Sequence, residues 1–223
     1  MLADPSFRKG LRDSVLIFFA VGAFGLAYGV LAIEVGFPIW LAILSSFVIL
    51  SGAAQFAMVG LISAGAFPVI LAATGLGLRH LPMSATLARL IGEQPVGVRV
   101  RLAYVLVDET FGLTLRAATA DDVDDIVAYK SAADMTLLAG WVIGTGIGAW
   151  FGGAIDPAQF GIGVLFGLLF LGLAIPMVVT RRDWVVAAIA VVATIGAVLV
   201  LPEAWQITSA AVVASLVAVF TGE

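Results

Sequence analysis

The chain has no cysteine and a single histidine, His80. Disulfides and thiolate metal sites are thereby excluded, as is any metal centre built on several imidazoles. Charge is scarce too: 12% of the 223 residues are Asp, Glu, Lys or Arg, about half the roughly 25% of a soluble domain. A water-exposed fold of this size needs far more polar surface. No basic tract interleaved with aromatics occurs, which leaves nucleic-acid binding without support. H-E-x-x-H, G-x-S-x-G and Walker sequences are also missing. The chain therefore reads as a non-enzyme that hydrolyses no ATP itself and needs no cofactor.

What is present is apolar sequence. Hydrophobic residues make up 62% of the chain, and the mean hydropathy is +1.14. A bilayer is the solvent that suits this composition, so the expected fold is an all-α polytopic helical membrane protein, one transmembrane domain over residues 1–223. Arg8, Lys9 and Arg12 precede an apolar run from Ser14 to Ile33. That run is long enough for ~30 Å of hydrocarbon and is read as a retained first membrane helix, not a secretory signal.

Eight apolar segments are expected, at 14–33, 40–64, 67–88, 102–118, 132–152, 159–180, 184–200 and 205–220. Gly- and Pro-containing turns end most of them, among them Gly65-Ala-Phe-Pro68, Asp156-Pro157 and Pro202-Glu203. Residues 89–101 and 119–131 form longer polar stretches, the second with Asp121, Asp122, Asp124, Asp125 and then Lys130. The acidic run reads as solvated surface, the exposed face of a short interfacial helix, because it lacks the glycine turn and bidentate glutamate of a calcium loop.

Lys and Arg near helix ends set orientation. With eight full spans, Arg8, Lys9, Arg12, Arg116, Lys130, Arg181 and Arg182 share the cytoplasmic side, but Arg89, Arg99 and Arg101 lie opposite. If 67–88 and 102–118 are instead discontinuous or re-entrant, all ten lie inside and six segments cross. Both readings stand, and both put the two termini in the cytoplasm. The same two segments are interrupted by charge, Arg79-His80 with Pro82 in one and Asp108-Glu109 in the other. Irregular backbone at membrane depth is tolerated where it is buried in protein or lines a wet cavity.

These charges are the candidate site. Arg79 lies about twelve residues into its segment, where a charge costs roughly 2.5–3.5 kcal/mol on insertion scales. A carboxylate or a ligand offsets such a cost; snorkelling to the headgroups is the plainer alternative. Asp108 and Glu109 are adjacent, so on a helix they point about 100° apart. One is free to pair with Arg79 while the other meets a substrate ammonium or a proton. The plainer alternative is one structural salt bridge with the other acid wetted. Gln55, after Ser45-Ser46 and Ser51-Gly52, offers amide donors and an acceptor at depth. Gly22, Gly25 and Gly29, like Gly140, Gly144 and Gly148 and the pair Gly163 and Gly167, fit the small-xxx-small pattern of close helix packing.

Phe7-Arg-Lys-Gly10, Phe24-Gly-Leu-Ala-Tyr-Gly-Val30, Ser51-Gly-Ala-Ala-Gln-Phe56, Leu78-Arg-His80 and Asp108-Glu-Thr-Phe111 occur in that order. Together they resemble the AzlC family of branched-chain amino acid permeases, most densely over 7–116. One departure is Gly77, where the family usually has asparagine. The resemblance implies export of branched-chain amino acids across the bacterial inner membrane and a small AzlD-like partner membrane protein. The expectation is a secondary transporter subunit with Gln55, Arg79, His80, Asp108 and Glu109 serving the substrate or the coupling ion. A structural or assembly subunit without a pathway is the alternative.

Overall fold

The structure, a computed structural model, describes residues 4–152 and 180–201, with residue 178 and isolated positions between 206 and 217. The expected segments at 159–180 and 205–220 lie largely outside the described residues. So do Gly163, Gly167 and the turns at Asp156-Pro157 and Pro202-Glu203. The described residues are mostly helical, without a strand among them. They group into two compact units, 1–56 with 76–157 and 57–75 with 158–223.

In the first unit α1 (Pro5–Asp13) leads directly into α2 (Val15–Glu34). Asp4 caps α1 by accepting from the amides of Ser6 and Phe7, which satisfies donors that a helix start leaves free. Next come α3 (Ile39–Val48) and α4 (Gly52–Leu61), whose distal end passes into the second unit. The first unit resumes within α5 (Ala66–Gly77) and continues through α6 (His80–Ile91), α7 (Val96–Tyr104), α8 (Asp108–Thr119) and α9 (Ile126–Gly152). Among the described residues, 15–34, 66–91, 126–152 and 181–200 are long and apolar enough to cross a membrane. The protein is a polytopic helical membrane protein.

The glycines on α2 and α9 act as expected. A methyl on Gly140 would strike the carbonyl of Phe18, one on Gly144 that of Gly22, and one on Gly148 that of Leu26. From the other side Gly25 and Gly29 meet the carbonyls of Trp141 and Thr145. Steps of four on both helices thus bring backbone against backbone, an approach that only missing side chains permit. Gly10 extends the seam, pressing α1 onto Tyr129.

Two polar stretches fold differently from expectation. Residues 89–101 form a helix end, a short turn at Gly92–Pro95 and then α7. The acidic stretch is exposed, as expected of solvated surface, but it is a turn and not an interfacial helix. Asp125 ends it by accepting from the amides of Val127 and Ala128. This cap starts α9 at Ile126, six residues earlier than the apolar run begins. Lys130, expected in a polar stretch at a cytoplasmic helix end, is therefore a fully buried residue of the second turn.

In the second unit, taken by itself, α10 (Arg181–Val200) opens with a capping box, Thr180 and Asp183 bonding each other's backbone amides. Most of its apolar side chains are exposed, as suits a helix solvated by lipid.

Candidate functional site

Three helical segments of the first unit are broken, each for a local reason. Between α5 and α6 the backbone turns at Leu78 and Arg79. Pro82 has no N–H to give the Leu78 carbonyl, which accepts from the Leu81 amide at 3.1 Å instead. His80 Nδ1 lies 3.0 Å from the Gly77 carbonyl. A carbonyl only accepts, so Nδ1 carries the proton and the ring closes one of the open carbonyls at the end of α5. Between α7 and α8 the chain is irregular from Val105 to an extended Val107 (φ −130°, ψ 157°). No side chain caps α8, whose first turn begins Asp108-Glu109, acids placed where the helix dipole favours them.

The third break, between α3 and α4, divides a segment that reads as continuous in the sequence. Ile49, Leu50 and Ser51 leave the helix, and the Ser51 amide turns to the Ile49 carbonyl. The Phe47 carbonyl, which a continuous helix would bond to that amide, accepts from the Tyr104 hydroxyl at the end of α7. Beyond the break, Ser51 Oγ accepts from the Ala54 amide at 3.4 Å and helps to cap α4.

These breaks meet. Tyr104 joins the second and third, and the Arg79 guanidinium joins the first and second through a 2.9 Å ion pair with Asp108. The pair is half-exposed, 39% at Arg79 and 45% at Asp108. Of the two acids it is Asp108 that takes the arginine; Glu109 is exposed beside it in the same first turn. Four of the five candidate residues thus gather where helices are discontinuous.

Gln55 occupies a different setting. It is fully buried, its Nε2 donating to Ser45 Oγ (3.3 Å) and Ser46 Oγ (3.2 Å), its Oε1 accepting from Trp141 Nε1 at 2.9 Å. Counting protons fixes the rest. Thr145 Oγ1 gives its hydrogen to the Trp141 carbonyl, so Ser46 donates to Thr145 (2.9 Å). Ser45 gives its own to the Ala42 carbonyl, so Tyr28 donates to Ser45 (2.6 Å). The rings of Tyr28, Phe56 and Trp141 pack around this circuit, centroids 5.9–6.2 Å apart. Gly52 makes room for the indole, whose edge lies 2.9 Å from where its Cβ would be. Every polar atom of the Gln55 side chain is engaged, as a buried amide requires.

A buried ion pair completes the inventory, and sequence reading missed it. On α9, Lys130 Nζ holds both Asp134 oxygens at 2.7 and 2.9 Å, with 0% and 2% of the side chains exposed. Opposite charges four residues apart were the available signal, hidden because the run of apolar residues seemed to begin after Lys130. Between α6 and α7 lies a cleft of about 320 Å³ lined mainly by Leu87, Ile91, Leu102 and Leu106, with Arg99 at its edge.

The family described as AzlC protein matches residues 16–155. The chain belongs to the AzlC family. A membrane protein of Archaeoglobus fulgidus, described as uncharacterized, is 29% identical to this AzlC chain over 172 residues, 74% of each protein. No solved structure matches it. The matched region takes in all three helix breaks, the Gln55 circuit and the buried pair. Family and relative together mark a transport-related membrane protein.

Proposed function

We propose that this AzlC protein is a secondary transporter subunit that exports branched-chain or other aliphatic amino acids across the inner membrane, working with a small AzlD-like membrane partner. The observation that carries the reading is the junction of three helix breaks around a half-exposed Arg79–Asp108 pair. Discontinuous helices at membrane depth are where transporters hold substrates, since freed backbone groups and helix ends face the ligand there. A zwitterion matches the charges: its carboxylate displaces Asp108 on Arg79, and its ammonium takes Asp108 or Glu109. The aliphatic tail would take an apolar surface such as the α6–α7 cleft. One methylene is worth only ~1–3 kcal/mol, so leucine, isoleucine and valine share the route. His80, its Nδ1 bonded to Gly77, shapes the break beside Arg79, and Gln55 would line the path from its own buried circuit.

A second reading has an observation in its favour. Arg79 is already paired, and a static brace would look the same. Cells expressing Arg79→Ala with the partner should lose valine and leucine efflux at unchanged protein level; wild-type efflux would remove Arg79 from the pathway. Exchanging the charges, Arg79→Asp with Asp108→Arg, separates the readings, because a brace tolerates the exchange and a site matched to one polarity does not.

A further inference from the structure

The Lys130–Asp134 pair has no role in that substrate site, and its placement is costly. Taking two ions out of water costs several kcal/mol each, and apolar residues of similar volume are often as stable. Buried pairs that tie two elements together contribute to specificity. This one does not, because both partners stand on α9, four residues apart. Ionisable residues inside a membrane segment mark function by default.

Its surroundings define what it can bind. From α8, the buried Thr110 hydroxyl lies close to Asp134 but outside normal hydrogen-bond geometry while Lys130 holds both carboxylate oxygens. From α7, Arg101 donates to Ser131 Oγ at 2.9 Å, and its positive charge acts on Asp134. Lys9 and Asp13 of α1 and Arg116 of α8 gather at Tyr129 instead. Apart from Glu34 at its last residue, α2 has no charged group, and α3 has none. On α6, His80 is turned to the Gly77 carbonyl and Arg89 is an exposed residue of the last turn. Around Asp134 two cations therefore face one carboxylate, a local excess of one positive charge. With both side chains closed off from solvent, no amino acid or hydrated ion has room. A proton needs none.

The geometry points to Lys130 as the carrier of a coupling proton, with Asp134 its partner while the proton is bound and Thr110 the donor held in reserve for when it has left. Release requires a state of the transport cycle in which water reaches Nζ; the ammonium then becomes a neutral amine and the proton passes to that water. Asp134 then loses two charge-assisted hydrogen bonds, the Thr110 hydroxyl supplies one, and Arg101 balances the carboxylate. Uptake of a proton reverses each change. This assigns a use to the one buried side-chain polar atom without a partner among the described residues. The link to substrate is short: Asp108, which holds Arg79, and Thr110 stand in the same first turn of α8. An amino acid that separates Arg79 from Asp108 moves the turn that carries the reserve donor.

The inference rests on the transport reading for its purpose, so its test has two independent arms. The chain has two lysines, Lys9 and Lys130. In ¹⁵N-lysine-labelled protein in lipid nanodiscs, Lys9→Arg leaves the Lys130 signal alone. That signal should convert between ammonium and amine forms as buffer goes from acidic to alkaline, and Thr110→Val should move the midpoint. In proteoliposomes, Lys130→Met should lose leucine accumulation driven by a pH gradient while keeping leucine counterflow at uniform pH. The double variant Lys130→Met with Asp134→Leu leaves no unpaired partner and should fold at least as well, with the same loss of driven accumulation. A Lys130 signal that stays ammonium throughout, or driven accumulation that survives the double substitution, overturns the inference. Absence of counterflow in the wild type would instead remove the proposed function, and the lysine signal would still decide whether Lys130 exchanges its proton.

Discussion

The α2–α9 seam and the junction of broken helices lie in the same compact unit and handle polar groups in opposite ways. At the seam, glycines bring carbonyls of one helix onto the backbone of the other, and the adjoining Gln55 circuit leaves no polar atom of that side chain idle. At the junction, backbone bonds are given up at Ile49–Ser51, Leu78–Arg79 and Val105–Val107, and the charges are half-exposed. A membrane protein needs both: a frame whose polar groups are closed on themselves, and a place where they are open to exchange partners. The difference teaches that a polar residue at depth is no pointer to a pathway until its partners are counted. Gln55 and Arg79 look alike in the sequence and unlike in their surroundings.

Filling the seam is the harshest way to break this comparison. Gly148→Val puts a branched side chain into the Leu26 carbonyl and should cost more than the ~1–3 kcal/mol of ordinary overpacking, seen as loss of monodisperse protein in size-exclusion chromatography. Gly60 has open space around its Cβ position, so Gly60→Ala should be neutral or stabilise by about 0.5–1 kcal/mol. Equal behaviour of the two would deny the seam its backbone contact.

Gln55→Leu comes next. It orphans the Trp141 indole N–H and takes one donor from each of Ser45 and Ser46, and a stranded buried group costs about 1–3 kcal/mol. Thermal melting in detergent should fall accordingly, with an altered tryptophan emission. Tyr104→Phe, at the junction, removes one hydrogen bond, worth about 0.5–1.5 kcal/mol. It should move the melting temperature less than Gln55→Leu does, yet change transport more.

Much of this was legible in the chain. The glycine spacing marked both helices for close packing, though not that they pack on each other, and Pro82 with the charges at 79–80 and 108–109 marked two of the breaks. The third was hidden because Ile49-Leu50-Ser51 carries no proline or charge; only the carbonyl it frees for Tyr104 reveals it. Lys130 was misplaced for a physical reason as well. Hydropathy ends a segment at a charge, whereas an i,i+4 partner lets a helix carry both charges inward. The Asp108 partnership was an open alternative in sequence, since two adjacent acids compete for Arg79 and only the path of the chain after Val107 decides between them.

Smaller effects sharpen the margins. Gly77 has open space where the family usually has asparagine, so Gly77→Asn should leave stability nearly unchanged and any effect should appear in substrate preference, read by competition among aliphatic amino acids. On α1, burial opposes the charge of Asp13, but Lys9 at 2.6 Å, the Tyr129 hydroxyl at 3.2 Å and Arg12 together hold its carboxyl below the ordinary carboxylate range. The folded value lies below the unfolded one, so this stabilisation is complete above the ordinary range and disappears as pH falls through the lowered value. Asp13→Asn should flatten that part of the acid-stability curve, measured by melting temperature against pH.

The missing cysteines supply the decisive measurement. Because the natural chain has none, single cysteines need no altered background. Glu109→Cys and Thr145→Cys, expressed with the partner in membranes, should respond oppositely to a membrane-impermeant thiol reagent. The account predicts labelling at Glu109, slowed by leucine, and none at Thr145 inside the closed circuit. Labelling at Thr145, or labelling at Glu109 indifferent to every aliphatic amino acid, would contradict the claim that the pathway runs through the broken-helix junction.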